Sequence, residues 1–383
     1  MLSDDDLEKW EYAEHTAAKH RLLERYVKAW LAILGQAARR GGHESRLVLV
    51  DGFAGRGRYR EDEPGSPLIL RDIAQLVSED GRVGTVELHF IERNRQNYEA
   101  LRSELGALAP LPQVIQPQPV CAPFEQAAPS IIANIGRERL SSFWFIDPFG
   151  FGGVPLHTIR EILSLERSEV FISLMVRDMW RFRNVVNHRQ AIARLLGLEV
   201  AELEPLLVDA ERSGRGAQVF CDLYVNRLKT AGGARYTWLY SLAARGAKDI
   251  VYYLVHGSTD PKALREMKKA SYAVSGGTHG FLGATDDPAS TGQIDMFGGD
   301  PVAILDMGTL RRRLLEVFAG RTVEYEALQD EAHDQSAFDL FIDRHIHQEL
   351  QNLVREGRIT KIRLQGKHGG GLERGDQLRF PPM

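Results

Sequence analysis

Cysteine is nearly missing: Cys121 and Cys221 are the only two in 383 residues. They form no CxxC pair, so a zinc or iron–sulfur site made by this chain alone is not expected. Two thiols far apart in sequence suit a reducing compartment. Long apolar runs are missing too. Stretches such as Val48–Val50 and Leu174–Val176 are far too short to cross a bilayer. Residues 1–10 (MLSDDDLEKW) are acidic and lack the apolar core of a signal peptide, so a cytoplasmic protein is expected. Nor does one charge dominate: 48 Lys and Arg stand against 52 Asp and Glu, a net of −4. That excludes a uniformly basic coat for nucleic acid but leaves room for a local basic patch. What is present is ordinary globular composition, 43% hydrophobic and 26% charged, in a length that accommodates one large domain and a small one.

The hydrophobic pattern changes period along the chain. From about Ala17 to Ala38, Leu22, Leu23, Tyr26, Val27, Trp30, Leu31 and Leu34 recur at helical spacing. Four strand candidates follow, at 46–51, 86–93, 143–148 and 170–177. Helical stretches such as Asn97–Leu105 and Leu156–Leu163 lie between them. Apolar strands alternating with helices indicate a parallel sheet covered on both faces. Residues 178–230 read as a helical insertion. Two further strands, 236–243 and 250–257, are separated by a short turn, which makes them an antiparallel hairpin. A parallel sheet closed by an antiparallel hairpin is the signature of a class I methyltransferase-like, Rossmann-like α/β sheet. Residues 275–303 are rich in Gly, Asp, Thr and Ser and read as a flexible linker. The domain boundaries are then 1–274 for the α/β domain and 304–383 for a second unit.

Three strand ends carry candidate chemistry. The first is Asp51-Gly52-Phe53-Ala54-Gly55-Arg56-Gly57. The small residues let the backbone approach a cofactor, and Asp51, Phe53, Gly55 and Gly57 are placed to hold the methionine end of S-adenosylmethionine. A dinucleotide fingerprint would need a third glycine where Arg60 stands, and no catalytic His or Lys sits near the strand ends, so a nicotinamide dehydrogenase fits poorly. The second strand end is Glu92, placed to accept ribose hydroxyls, with helix capping by Asn94 as the plainer alternative. The third is Asp147-Pro148-Phe149-Gly150. Methyltransferases acting on base amino groups carry Asp/Asn-Pro-Pro-aromatic here, where the acid accepts from the amine and the ring stacks on a base taken out of the duplex. Phe149 stands where the second proline would be. Asp147, Pro148 and Phe149 are the candidate catalytic residues. They would position the acceptor nitrogen in line with the methyl group and stabilise the charge growing on it.

Other basic positions are more ambiguous. Lys19-His20 either covers the cofactor site or forms a solvated helix face, and the surface bias of such residues favours the second. Arg177 is a candidate for a phosphate-binding rim. In the C-terminal unit, Leu310, Leu314 and Phe318 share one helical face, and Phe338, Phe341, Ile342, Ile346, Leu350 and Val354 share another. A hairpin with a Gly- and Lys-rich tip follows, which gives a small winged helix-turn-helix domain. From Arg355 onward there are seven basic residues against three acidic ones, and Arg358, Lys361, Arg363 and Lys367 are the candidate nucleic-acid contacts. Asp330, Glu331, Asp334 and Asp339 argue against simple insertion of this unit into a groove. His345 and His347 point in different directions along a helix, and no metal site is expected.

Taken together, Lys19-His20, the 50–59 segment VDGFAGRGRY, Gly65-Ser66-Pro67-Leu68, Phe90-Ile91-Glu92, the 145–156 segment FIDPFGFGGVPL and Glu266-Met267-Lys268 resemble the three-Cys-motif partner (TcmP) family over residues 10–275. The tail resembles the winged-helix domain often attached to it. The resemblance implies a methyltransferase-like fold and a companion, a phage-associated, radical-SAM-like three-Cys-motif protein. Two functions follow as expectations: a methyltransferase acting on nucleic acid with S-adenosylmethionine, or a catalytically silent adaptor that brings a partner enzyme to nucleic acid through its winged helix.

Overall fold

Why α1 (Glu14–Arg40) forms is plain from its stripe: Leu22, Leu23, Tyr26, Val27, Trp30 and Leu31 are all buried, and a 27-residue helix with such a face packs tightly against what lies beneath. A computed structural model describes residues 14–60, 62–108, 110–150, 152–213, 215–243, 250–275, 280–281, 306–363 and 371–382. After α1 come β1 (Arg46–Asp51), α2 (Ser66–Glu79), β2 (Thr85–Glu92), α3 (Arg95–Ala107), β3 (Ile115–Cys121) and α4 (Phe124–Glu138). Then follow β4 (Ser141–Ile146), α5 (Leu156–Leu163), β5 (Ser168–Leu174) and four helices, α6 (Val176–Phe182), α7 (Val186–Leu196), α8 (Val200–Ser213) and α9 (Gln218–Thr230). The hairpin strands β6 (Tyr236–Ala243) and β7 (Ile250–Ser258), the helix α10 (Pro261–Val274) and the short β8 (Gly280–Phe281) complete this stretch. The C-terminal part runs α11 (Met307–Val317), β9 (Thr322–Glu324), α12 (Tyr325–Asp334), α13 (Asp343–Arg355), β10 (Thr360–Ile362) and β11 (Gln377–Arg379).

The chain divides into two compact units, one holding α1–α9 with β1–β8, the other α10–α13 with β9–β11. In the first, the sheet order is β3-β2-β1-β4-β5-β7-β6-β8. Strands β1 to β5 pair in parallel. β7 runs antiparallel to both β5 and β6. This is the α/β, class I methyltransferase-like sheet with its terminal hairpin. β4 and β5 are buried at every residue, so helices cover both of their faces. β3 was not expected from sequence. Its segment IQPQPVC carries Pro117 and Pro119, which read as strand breakers. It is the edge strand of the order, and an edge is where a strand tolerates prolines.

The second unit has the chain order of a winged helix-turn-helix: α11, β9, α12, α13, β10, β11. Its three strands pair antiparallel in the order β10-β11-β9. The core gathers Leu310, Leu314, Phe318, Phe338, Phe341, Ile346 and Leu350. One expectation needs correcting. Phe338, Phe341 and Ile342 do not share a helix with Ile346: Phe338 ends a 3-10 turn and α13 starts at Asp343. An apolar period carries across such a break, so the sequence pattern alone does not show it. The helix α10, placed by the sequence boundaries at the end of the first domain, is part of this second unit.

Candidate active site

The order β2-β1-β4 puts the ends of three strands side by side, and with them Asp51, Glu92 and Asp147. The turn after β1 stays tied to both neighbours. Gly52 N donates to Phe145 O at 2.8 Å, and Ala54 N to Ile91 O at 2.9 Å. Gly55 and Gly57 follow with φ of +64° and +94°, values that side chains other than glycine adopt at a cost. A Cβ on Gly57 would also press to 3.3 Å from Leu101. Gly65 N closes the turn onto Gly57 O at 2.7 Å. The glycines at 55 and 57 thus suit the backbone geometry of the turn.

Asp51 is fully buried. Its Oδ1 accepts from Phe53 N at 3.1 Å, while Oδ2 has no hydrogen-bond partner. Burial is the main force that pushes its pKa up to about 7; the neighbouring Ser66 hydroxyl and the Phe53 N–H oppose it, and the charges of Asp147 and Glu92 reinforce it. Met inside the fold only by the Phe53 N–H and the nearby Ser66 hydroxyl, the buried carboxylate is poorly solvated, and a cationic ligand end would satisfy it. Glu92 is committed differently. Its Oε2 accepts from Gly55 N at 2.8 Å and its Oε1 from Asn94 N at 2.6 Å, so it fixes the glycine turn to the start of α3. Asn94 caps that helix, accepting from Gln96 N and Asn97 N.

Lys19 and His20, for which the sequence favoured a solvated helix face over a cover for the site, need correcting. Neither is solvated: they are 6% and 3% exposed. The signal was present, since Lys19 lies four, seven and eleven residues before Leu23, Tyr26 and Trp30, on the apolar stripe itself. The Lys19 ammonium forms a short ion pair with Asp147 Oδ2 and sits 5.6 Å from the centre of the Tyr252 ring. Burial alone would discharge it; the adjacent Asp147, helped by Tyr252 and Tyr59, holds its pKa above the ordinary lysine value. His20 is pushed down to about 3, first by burial and then by Lys19, and is therefore neutral. Its ring lies 5.7 Å from that of Tyr59.

A buried network pins α1 in place. The Tyr26 hydroxyl donates to Glu169 Oε2, Trp30 Nε1 donates to Oε1 at 3.0 Å, and His256 Nε2 lies 2.9 Å from Oε2. Glu169 belongs to β5, so the helix that carries Lys19 is bonded to the strand beside β4.

After β4, Pro148 is buried, whereas the Phe149 ring is 60% exposed. Asp147 and Phe149 line a cavity of about 30 Å³ with Phe53, Gly55, Gly57 and Tyr59. Phe53 stacks on Phe124 at 5.5 Å. The donor set therefore fits S-adenosylmethionine: a turn that suits glycine, the buried Asp51 carboxylate and an acid on the next strand. The cavity holds about one water.

The remaining expected contacts fall as follows. Arg177 is exposed on α6, near enough to His15 to help depress it, after burial and Lys19. Arg358 is exposed ahead of β10. Lys361 and Arg363 both turn to the buried Asp376 carboxylate, at 3.3 and 3.8 Å. Lys367 lies outside the described residues. No helix among the described residues is long and apolar enough to cross a membrane.

No protein-family model matches the chain, and no curated protein matches it. Among solved structures, it is similar to an O-methyltransferase from Bacillus cereus in complex with S-adenosylhomocysteine, at 12% identity and a TM-score of 0.33, over 67% of this chain and 92% of that one. It is similar to human methyltransferase-like protein 13, also in complex with S-adenosylhomocysteine, at 11% and 0.32, over 73% and 98%. It is similar to Trm1 from Pyrococcus horikoshii with S-adenosylmethionine, at 11% and 0.30, over 95% and 91%. Likeness at this level assigns no activity to the chain.

Proposed function

We propose that the first unit is an S-adenosylmethionine-dependent methyltransferase acting on nucleic acid. The observation that carries this reading is Asp51: a fully buried carboxylate met only by the Phe53 N–H and the nearby Ser66 hydroxyl, at the end of β1, beside a turn whose glycines are held at positive φ. The cofactor supplies an activated methyl group. Asp51, with Phe53, Gly55 and Gly57, holds its amino-acid end, and Glu92 holds the turn and the ribose side. Asp147, paired with Lys19, accepts a hydrogen bond from the acceptor group, and the exposed Phe149 ring stacks on it. By its resemblance, the chain works with a three-Cys-motif protein.

One test uses two variants. S-Adenosylhomocysteine should raise the melting temperature of the wild type, because it stabilises the folded state by mass action, and should leave Gly55→Arg unchanged. Asp147→Ala should keep that shift but lose transfer of labelled methyl to nucleic acid. Unchanged turnover in Asp147→Ala would remove this residue from the mechanism.

Phe149, standing where the second proline of the base-amino motif would be, favours a second reading, a catalytically silent adaptor that carries a partner enzyme to nucleic acid. It predicts co-purification with the three-Cys-motif protein and no thermal shift with either cofactor form.

A further inference from the structure

In the first unit the helical insertion returns to the sheet edge that carries the candidate site. Ile146 pairs with Ile172 across β4 and β5, β5 stops at Leu174, and α6 starts at Val176. Leu174 stands opposite Tyr253 on β7. The ring of the adjacent Tyr252 lies 5.6 Å from the Lys19 ammonium that pairs with Asp147. The far end of α7 comes back to the same place. Gly197 ends α7 with φ of +62°, and a Cβ there would sit 2.7 Å from Leu156 Cδ2. Leu156 opens α5 directly after the loop that carries Asp147 and Phe149. Arg194, in the last turn of α7, also pairs with Glu125 in the first turn of α4. α6 and α7 thus start beside one end of the 147–155 loop and finish beside the other.

Several cations of this segment are already committed. Arg183 lies 3.9 Å over the Trp180 ring and pairs with Glu211 at 2.9 Å, and Arg189 pairs with Glu204 at 3.1 Å. Arg177 and Arg181 differ. Both are exposed, and neither forms an ion pair with a described residue. Arg181 rests 5.0 Å over the Phe182 ring. Val176 and Met179 are the buried side of α6, and its only acid is Asp178. The turn that follows is apolar and uncovered. Val185 and Val186 are exposed, and Val186, at 71%, is the most exposed large apolar side chain among the described residues; the Phe149 ring comes second. Exposed apolar groups gathered beside uncommitted charge mark a contact surface.

We propose that α6 and the turn into α7 seat an unpaired strand of nucleic acid, with Arg177 and Arg181 on successive phosphates and Val186 against the base beside the one presented to Asp147 and Phe149. The two arginines lie at i and i+4, on one helix face. They are about 6 Å apart along the axis, close to the step from one phosphate to the next along a strand. Their guanidinium forks match phosphate oxygens in pairs. A base offers its apolar face only out of the stack, since in a duplex its stacking neighbours cover that face. An exposed valine beside phosphate-binding arginines therefore fits a strand whose bases are free. An acceptor base must also leave the stack to meet a carboxylate and a ring. The charge complementarity is local, since the chain as a whole carries a net of −4. This inference rests on the nucleic-acid part of the proposed function and names the form of its substrate.

The test is fluorescence anisotropy of the full-length protein with three labelled probes: a DNA hexanucleotide, the same sequence in RNA, and a DNA duplex of about 30 bp. A hexanucleotide should bind, and the tighter of the two identifies the sugar. Arg177→Glu with Arg181→Glu should weaken it about 10- to 100-fold, and the slope of log affinity against log salt should flatten by about 1.4, at about 0.7 per phosphate contact. The duplex should respond far less. Val186→Ser should weaken the hexanucleotide about threefold, the scale of one apolar contact, with the salt slope unchanged. Arg139→Glu with Arg167→Glu makes the same change of charge at exposed positions ahead of β4 and β5, on the opposite edge of the sheet, and should bind like the wild type. Melting temperatures should agree throughout. No binding of either hexanucleotide, an equal loss in both charge-reversed variants, or a loss on the duplex as large as on the single strand would overturn the assignment. Methyl transfer is read separately. Hexanucleotide binding without transfer would keep this assignment and remove the proposed reaction; transfer to a duplex without hexanucleotide binding would do the reverse.

Discussion

At the scale of residues, two buried charges set the behaviour of the first unit. Asp51 has a pKa of about 7 when folded against about 3.9 in an unfolded chain. Between those values the unfolded state has released a proton that the folded state keeps. Stability should therefore fall as pH rises from about 4 to 7 and level off above, by a few kcal/mol in all. Asp51→Asn should lack this slope and be the more stable protein at pH 8; equal slopes in thermal melts across that window would show that Asp51 is not desolvated. The Lys19–Asp147 pair gives the second case. Their side chains are only 8% and 19% exposed, so Lys19→Ala leaves a mostly buried carboxylate alone and should cost about 3 kcal/mol. Lys19→Ala with Asp147→Ala should recover most of that loss in chemical denaturation. The acids at strand ends were legible in sequence because a short apolar run ending in an acid has few other meanings. Lys19 was legible only in part: its place on the apolar stripe signals burial, but what makes a buried lysine tolerable is its partner, 128 residues away.

Elements show a similar division. β1 matched its expected bounds, and β2, β4 and β5 fell within a few residues of theirs, because buried parallel strands are continuous apolar runs. The hairpin β6–β7 was visible for the same reason. β3 was hidden by its prolines and β9 by its length of three residues; both are recognised only when a neighbouring strand is in place. α1 owes its position to more than its stripe. Its Tyr26 and Trp30 bond the buried Glu169, which also meets His256. Tyr26→Phe keeps the ring and removes one hydrogen bond to a buried charge. It should lower stability by about 1.5–3 kcal/mol and be seen as a lower melting temperature; no change would mean that the hydroxyl contributes nothing to holding the helix.

At the scale of the whole molecule, sequence showed two kinds of architecture and the structure shows which residues each one owns. The sheet end gathers Asp51, Glu92 and Asp147 because parallel strands in the order β2-β1-β4 finish on one edge. α10 belongs with the winged helix because its cations match the acids of α12 and α13, a pairing between segments 65 to 78 residues apart. The central claim is that Asp51 is the anchor of a cofactor site. Its most direct test is calorimetric titration of S-adenosylmethionine and S-adenosylhomocysteine into the full-length protein and Asp51→Asn, at pH 6 and pH 8, in buffers of different ionisation enthalpy. Binding a cationic group requires the ionised carboxylate. Affinity should therefore be greater at pH 8, fall about tenfold per pH unit below 7, release a proton on binding at pH 6, and be lost in Asp51→Asn. Binding that is independent of pH and intact in Asp51→Asn, or no binding of either ligand at either pH, would contradict it.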